Sequence, residues 1–239
     1  MNQQIDINCD LGEGVGNEAE VLPLVSSCNI ACGGHAGDEA TMQWVVSLAK
    51  KHQVNIGAHP SYPDMANFGR VSMELTPNEL IATVREQIDR LVLVCAHEGV
   101  KLHHVKAHGA LYNDIAKGGG LAQVFLEAIE PYKSDIYLYV PAESELEKLA
   151  VQTGFKTKRE AFGDRNYNPD LSLVSRNEAN ALIVSPKSVL EHLLRMVKEG
   201  KVLTVANTLI EIQADTYCIH GDTPNALQIL TYLSNELPK

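Results

Sequence analysis

Asn29-Ile30-Ala31-Cys32-Gly33-Gly34-His35-Ala36-Gly37-Asp38 is the stretch on which the fold of this chain turns. An apolar run, from Leu24-Val25 through Cys28 to Ala31, stops at two glycines. A histidine and an aspartate follow, and a helical pattern opens with Met42, Val45, Val46 and Ala49. This is strand, glycine turn, polar cluster and helix in succession. Asp38 is placed to cap the helix. His35 stands between glycines with no apolar flank, so it does not read as a core residue. The same plan recurs along the chain. Ile5 to Asp10 runs into Leu11-Gly12-Glu13-Gly14, Val54 to Ala58 into His59-Pro60, Leu102 to Val105 into Lys106-Ala107-His108-Gly109, and Thr216 to Ile219 into His220-Gly221-Asp222. Short apolar runs that each end in His, Asp or Lys beside glycine or proline imply one common geometry.

Strands alternating with helices imply parallel pairing with right-handed crossovers. Polar residues gathered at strand C-termini then point to an α/β barrel whose working face is its C-terminal rim. At 239 residues the chain has room for a large core, and no linker, repeat or low-complexity segment divides it, so residues 1–239 are expected to form a single (β/α)-barrel domain. Thr76-Pro77-Asn78-Glu79 carries the signature of a capped helix start, and Leu80, Val84, Ile88, Leu91 and Cys95 mark one face of that helix until Gly99. Further helices are expected over Leu121–Ile129 and around Leu146–Val151, from Ser185-Pro186 to Gly200, and from Asp222-Thr223-Pro224 onward. Ile136–Val140 reads as a strand ended by Pro141. Glu160 to Tyr167, rich in charged and aromatic residues, reads as a working loop.

Composition narrows the function. The formal charge of −10, from 20 Lys and Arg against 30 Asp and Glu, and the lack of any basic block argue against nucleic acid or an anionic membrane as partner. No apolar run approaches the length of a membrane span, and the N-terminus has no signal-like character. Cys9, Cys28, Cys32, Cys95 and Cys218 are odd in number and form no Cys-x-x-Cys pair, which fits reduced thiols in a cytoplasmic protein. No Gly-x-x-x-x-Gly-Lys-Ser/Thr occurs, which argues against ATP held in a P-loop.

The remaining residues suit hydrolysis. Asp6, Asn8 and Asp10 alternate onto one face of the first strand, and Lys106 and His108 share a face if the fourth strand reaches them. An inward lysine needs carboxylate partners, for which Asp6 and Asp10 are placed. Opening an amide requires a polarised carbonyl, an activated water and a proton for the leaving nitrogen. Asp10 with His59 can act as base, Lys106 or His108 can stabilise an oxyanion, and His220 with Asp222 can form an oriented imidazole pair. Arg70 or Arg165 can fork a carboxylate. Asn8, Asn29, Tyr112 and Asp164 are further candidates for substrate binding. His35 and His59 with Asp10 are candidate ligands of a divalent metal, although their spacing matches no compact metal motif. Cys32, three residues before His35, reads as a small buried thiol rather than a nucleophile.

Asp6–Glu13, Ser27–Asp38, Gly57–Asp64, Phe68-Gly69-Arg70, Lys106–Asn113, Glu160–Arg165 and Cys218–Asp222 together resemble, in order and over nearly the whole chain, the LamB/YcsF family. Two positions depart from its usual pattern: Ala107 stands where proline is usual and Leu171 where glycine is usual, near Arg176. The resemblance implies a distorted (β/α) barrel of about seven parallel strands, like that of the glycoside hydrolase/deacetylase superfamily. It also implies ATP-dependent hydrolysis of 5-oxoproline to glutamate by a complex with two further 5-oxoprolinase subunits, and leaves open which subunit binds the ATP. Two rival functions remain: a metal-dependent amide or acetyl hydrolase acting alone, and a non-catalytic docking subunit.

Overall fold

The computed structural model describes residues 5–237. Its elements in order are β1 (Ile7–Leu11), α1 (Glu18–Val21), β2 (Ser27–Ala31), α2 (Glu39–His52), β3 (Asn55–His59), α3 (Pro77–His97), β4 (His104–Val105), α4 (Gly109–Ala116), α5 (Gly119–Ile129), β5 (Tyr137–Pro141), α6 (Glu145–Gln152), β6 (Thr157–Phe162), α7 (Pro186–Glu199), β7 (Lys201–Leu203), β8 (Leu209–Glu211), β9 (Thr216–Cys218) and α8 (Ala226–Glu236). Strands β1, β2, β3, β4, β5, β6 and β9 close into a barrel in which every neighbouring pair is parallel. This is the expected seven-stranded (β/α) barrel. No helix of the described residues is long and apolar enough to cross a membrane.

Local sequence accounts for the elements. The Asp38 carboxylate accepts from the Thr41 N–H at 2.8 Å and starts α2, whose buried face is Met42, Val45, Val46 and Ala49. Thr76 and Glu79 form a reciprocal capping box at the start of α3. That helix buries the predicted Leu80, Val84, Ile88, Leu91 and Cys95, and also Gln87. Gln87 is a polar residue in an apolar stripe because it clamps the loop after β3. Its amide accepts from the Ser61 N–H at 3.0 Å and donates to the Ser61 carbonyl at 2.9 Å.

Three expectations are corrected. Strand β6 (Thr157–Phe162) takes in Glu160–Phe162, which were expected in a loop. Its charges are tolerated because Lys158 meets Asp6 and Glu160 meets Lys106 across the barrel. The last helix starts at Ala226 rather than at Asp222, since Asp222 and Thr223 are engaged elsewhere and Asn225 takes a left-handed conformation. The β7–β8 hairpin lies outside the barrel and has no counterpart among the expected elements. All five cysteines are buried, free thiols.

Candidate active site

The register of the barrel gathers the polar strand ends. Asp10 pairs across from Asn29 in β1–β2, and Ala31 from His59 in β2–β3. Lys106, just beyond β4, points inward and is 2% exposed. Its ammonium lies 2.9 Å from Asp10 Oδ1, 3.0 Å from Glu160 Oε1, 3.2 Å from Cys218 Sγ and 3.4 Å from Asn8 Oδ1. The contact with Glu160 is an ion pair by distance without hydrogen-bond alignment; Glu160 Oε2 instead accepts from Tyr112 Oη at 2.6 Å. Burial opposes the charge on Lys106, but Asp10, Cys218 and Glu160 outweigh it and raise its pKa well above the usual lysine value. Burial likewise opposes ionisation of Asp10, and His59 and Lys106 overcome it, so its carboxyl is held well below the ordinary range. Asp6 is not a partner of Lys106. It sits farther down the barrel, bonded to Ser27, Lys158 and Thr216.

Beneath this ion pair the side-chain amides have a fixed sense. Asn29 Nδ2 donates to Asn8 Oδ1 at 2.8 Å and to Asp10 Oδ1 at 2.7 Å, so its Oδ1 must accept from His104 Nε2 at 2.7 Å. Asn8 Nδ2 donates to Thr216 Oγ1 at 2.8 Å. Asn8 and Asn29, expected to touch substrate, therefore lie under the floor and position Asp10 and Lys106. The His104 ring fits because residue 57 is glycine: a Cβ there would overlap the imidazole.

A second group stands beside the first. Glu13 Oε1 is 2.8 Å from His35 Nε2, 3.3 Å from His108 Nδ1 and 3.8 Å from His59 Nε2. His59 Nδ1 donates to the Lys106 carbonyl at 2.8 Å and His108 Nε2 to the Phe68 carbonyl at 3.0 Å, because a carbonyl can only accept. Their other nitrogens, His59 Nε2 and His108 Nδ1, then face each other at 2.9 Å. His59 Nε2 is also 3.4 Å from Asp10 Oδ2. Burial opposes charge on His59, yet Asp10 outweighs it and raises the pKa, whereas burial, then His59 and His35, push His108 well down. Burial lowers His35 too, against Glu13, and its buried Nδ1 has no partner. A single proton on His59 Nε2 satisfies the facing pair, and a cation would do the same.

Two of the three expected metal ligands, His35 and His59, stand in one cluster with two residues the sequence did not single out for it. The donor atoms of Glu13, His35, His59 and His108 lie within 4.8 Å of one another, so Glu13 and His108 complete the set with the two expected histidines. Asp10 Oδ1 is committed to Lys106 and Asn29. Three imidazoles and one carboxylate suit zinc and similar ions, and ring nitrogens anchored on carbonyls are the usual second layer of such sites. The residues present thus fit a divalent cation. A set formed by Asp10, Cys218 and His220 also has donors within 4.8 Å, but the Lys106 ammonium already bridges Asp10 and Cys218 there.

His220 pairs with Asp164 instead of Asp222. Its Nδ1 is 3.0 Å from Asp164 Oδ1, and Asp164 Oδ2 accepts from the His220 N–H at 2.9 Å and Thr223 Oγ1 at 2.5 Å. Burial opposes ionisation of Asp164, but His220 and Thr223 lower its pKa. Asp222 turns outward, to Arg70 at 2.5 Å and Arg176 at 3.1 Å. Arg165 is 6% exposed and spends its N–H groups on the carbonyls of Val174 (2.6 Å) and Ala181 (3.3 Å), which ties down the segment 166–182. A cavity of about 720 Å³ opens above the floor, lined by Asp10, His59, Lys106, His108, Glu160 and His220 among others. Cys32 is buried, its thiol pushed up to about 12 by burial.

The model of the LamB/YcsF family matches residues 5–239. The chain belongs to that family. Among its LamB/YcsF relatives, the A-type 5-oxoprolinase subunit of Bordetella pertussis is 45% identical over 232 residues, covering 95% of this chain and 92% of the relative. The protein of the same name from Pyrococcus abyssi is 41% identical over 235 residues, covering 96% and 92%. The crystal structure of a lactam utilization protein from Thermus thermophilus superposes with a TM-score of 0.89 at 36% identity, covering 98% of this chain and 96% of that one. A family 4 carbohydrate esterase from Streptomyces lividans shares the fold, with a TM-score of 0.51 at 10% identity over 98% of this chain and 87% of that one. The likeness to that esterase is one of fold.

Proposed function

We propose that this chain carries the ring-opening site of an ATP-dependent 5-oxoprolinase and works with two further subunits to convert 5-oxo-L-proline to L-glutamate. The observation that carries the reading is the buried Lys106 ammonium, held by Asp10 and Glu160 at the floor of the cavity. A fixed positive charge in a site shielded from water is suited to stabilise the oxyanion formed when water adds to the lactam carbonyl. His220, its Nδ1–H directed at the ionised Asp164, presents its other nitrogen as the base that takes the proton from that water. The carbon–nitrogen bond then breaks, the same proton passes to the ring nitrogen, and the acid's proton moves to the new amine, leaving an ammonium and a carboxylate. His59, held by the Lys106 carbonyl and facing Asp10, fixes the neighbouring wall. A divalent cation on Glu13, His35, His59 and His108 would supply Lewis-acid polarisation of a carbonyl or of water. The relatives named as 5-oxoprolinase subunits support both the substrate and the assembly.

Reconstitution tests the reading. With 5-oxoproline and ATP, the isolated chain should release negligible glutamate, and the mixture with both partner subunits should be active. The histidine–glutamate cluster favours one other reading, a metal-dependent amide or acetyl hydrolase acting alone. Full turnover by the isolated chain, abolished by chelation, would select it.

A further inference from the structure

Charge around the cavity is unevenly compensated. Five Lys and Arg side chains line it: Arg70, Lys106, Lys117, Arg165 and Arg176. Lys106 is matched by Asp10 and Glu160, and Lys117 by Asp114 at 3.0 Å. Arg165 is occupied with the carbonyls of its own loop. Arg70 and Arg176 share one carboxylate, that of Asp222. Both guanidiniums line the cavity and Asp222 does not, so the aspartate holds the pair from behind. Two fixed positive charges against one negative leave a surplus of one unit at the mouth. Asp222 takes hydrogen bonds from one terminal nitrogen of Arg70 and from both of Arg176, and each guanidinium offers five donors, so N–H groups remain for a ligand. Arg70 is further fixed by stacking 4.7 Å from the centre of the Phe68 ring.

The floor has the opposite balance. Asp10 and Glu160, two carboxylates, stand there against the single Lys106 ammonium. The outer wall adds Glu143 and Asp170, while Glu145 is matched by Lys148 at 2.7 Å. An anionic group is therefore repelled from most of the cavity and accommodated at the arginine pair. A ligand that is neutral at one end and singly negative at the other is aligned by this field, its uncharged end toward Lys106.

We propose that Arg176, together with Arg70, is the specificity-determining clamp for the carboxylate of a small monocarboxylate lactam. The proposal rests on the lactam reading above and adds the residue that selects the carboxylate. Arg165, the other arginine favoured by the sequence, is the fastener of the loop rather than part of the clamp.

The test compares 5-oxoproline with 2-pyrrolidinone, the same ring without the carboxylate. Binding to the full chain is read by calorimetry, and steady-state kinetics are read on the chain assembled with its partner subunits. Wild type should bind 5-oxoproline at least tenfold more tightly than 2-pyrrolidinone. Arg176→Gln should weaken 5-oxoproline at least tenfold and leave 2-pyrrolidinone within twofold, with KM raised and kcat within threefold. Arg176→Lys should recover part of the loss, and Arg70→Gln should reproduce it. A preference unchanged in Arg176→Gln, an equal loss for both ligands, or no preference in wild type would overturn the clamp. An assembled enzyme that opens no lactam, yet loses 5-oxoproline binding on Arg176→Gln, would overturn the lactam reading and uphold the clamp.

Discussion

The floor and the mouth of the cavity are built by opposite means. At the floor, Asp10, Glu160 and Cys218 come from strands and Lys106 from the residue directly after one, and Lys106 and Asp10 are almost wholly buried. At the mouth, Arg70, Arg176 and Asp222 come from loops, and their side chains are 39%, 27% and 23% exposed. Buried charges without partners are severely penalised, so the floor holds one arrangement, whereas half-solvated charges can yield to a ligand. The strand-borne part is suited to act on the reacting bond and the loop-borne part to choose what enters.

Breaking the floor should have the largest effect. Lys106→Met keeps the aliphatic stem and strands Asp10 and Glu160 without their cation. Turnover of the assembled enzyme should fall at least ~10²-fold, which is roughly 2.7 kcal/mol of transition-state stabilisation. The folded state should lose about 3–5 kcal/mol as well, the usual cost of removing one member of a buried ion pair. Denaturant titration and turnover of the same preparation check both. Turnover within threefold of wild type would remove Lys106 from the chemistry.

A narrower cut falls on the dyad. Asp164→Asn keeps shape and size but offers His220 Nδ1 an amide that can present a donor, so the tautomer needed for a base is no longer enforced. Turnover should drop by about 10²-fold, while 5-oxoproline affinity stays within threefold. Equal losses in turnover and affinity would assign Asp164 to the fold alone.

The smallest effect lies away from both regions and sharpens the contrast through pH. His192 on α7 is 6% exposed and burial lowers its pKa to about 4. The unfolded chain takes up the proton near pH 6.5, before the folded chain does, so stability is lost as pH falls from about 6.5 to about 4. That loss is roughly 3 kcal/mol for this one group. His35, His104 and His108 act with the same sign, and His59, whose pKa is raised, with the opposite one. His192→Leu should flatten part of the decline without touching turnover at pH 7. An acid limb identical to wild type in urea titrations at pH 7 and pH 4.5 would refute this.

Much of the floor was legible in the sequence because a parallel barrel brings every strand C-terminus to one rim, so the polar end of each apolar run marked a wall of the site. Lys106 between carboxylates followed from the cost of burying an unpaired ammonium. What escaped was whatever broke that plan. Thr157–Phe162 hid as a strand because its inward residues are charged and neutralised only by partners far away in sequence. Glu13 lies in a glycine loop, where no periodicity marks a side chain as inward, although it stands just three residues past Asp10. His104 was masked by lying inside an apolar run. The pairing of His220 with Asp164 rather than Asp222 depends on how two distant loops meet, which no spacing reports. Leu171, where the family usually has glycine, does adopt a left-handed conformation with φ 65°. The loop keeps its turn there and accepts the strain of a branched side chain.

Gly57 and His104 face each other across β3 and β4, and the imidazole occupies the space a methyl group would need. Each position is thereby hostage to the other over evolutionary time. A descendant that acquires a side chain at 57 survives only if the ring at 104 has already gone, and losing that ring first frees Asn29 to turn away from Asp10. Neither order of mutation is neutral. The two sites should be inherited as a pair, and drift in this lineage should flow around them.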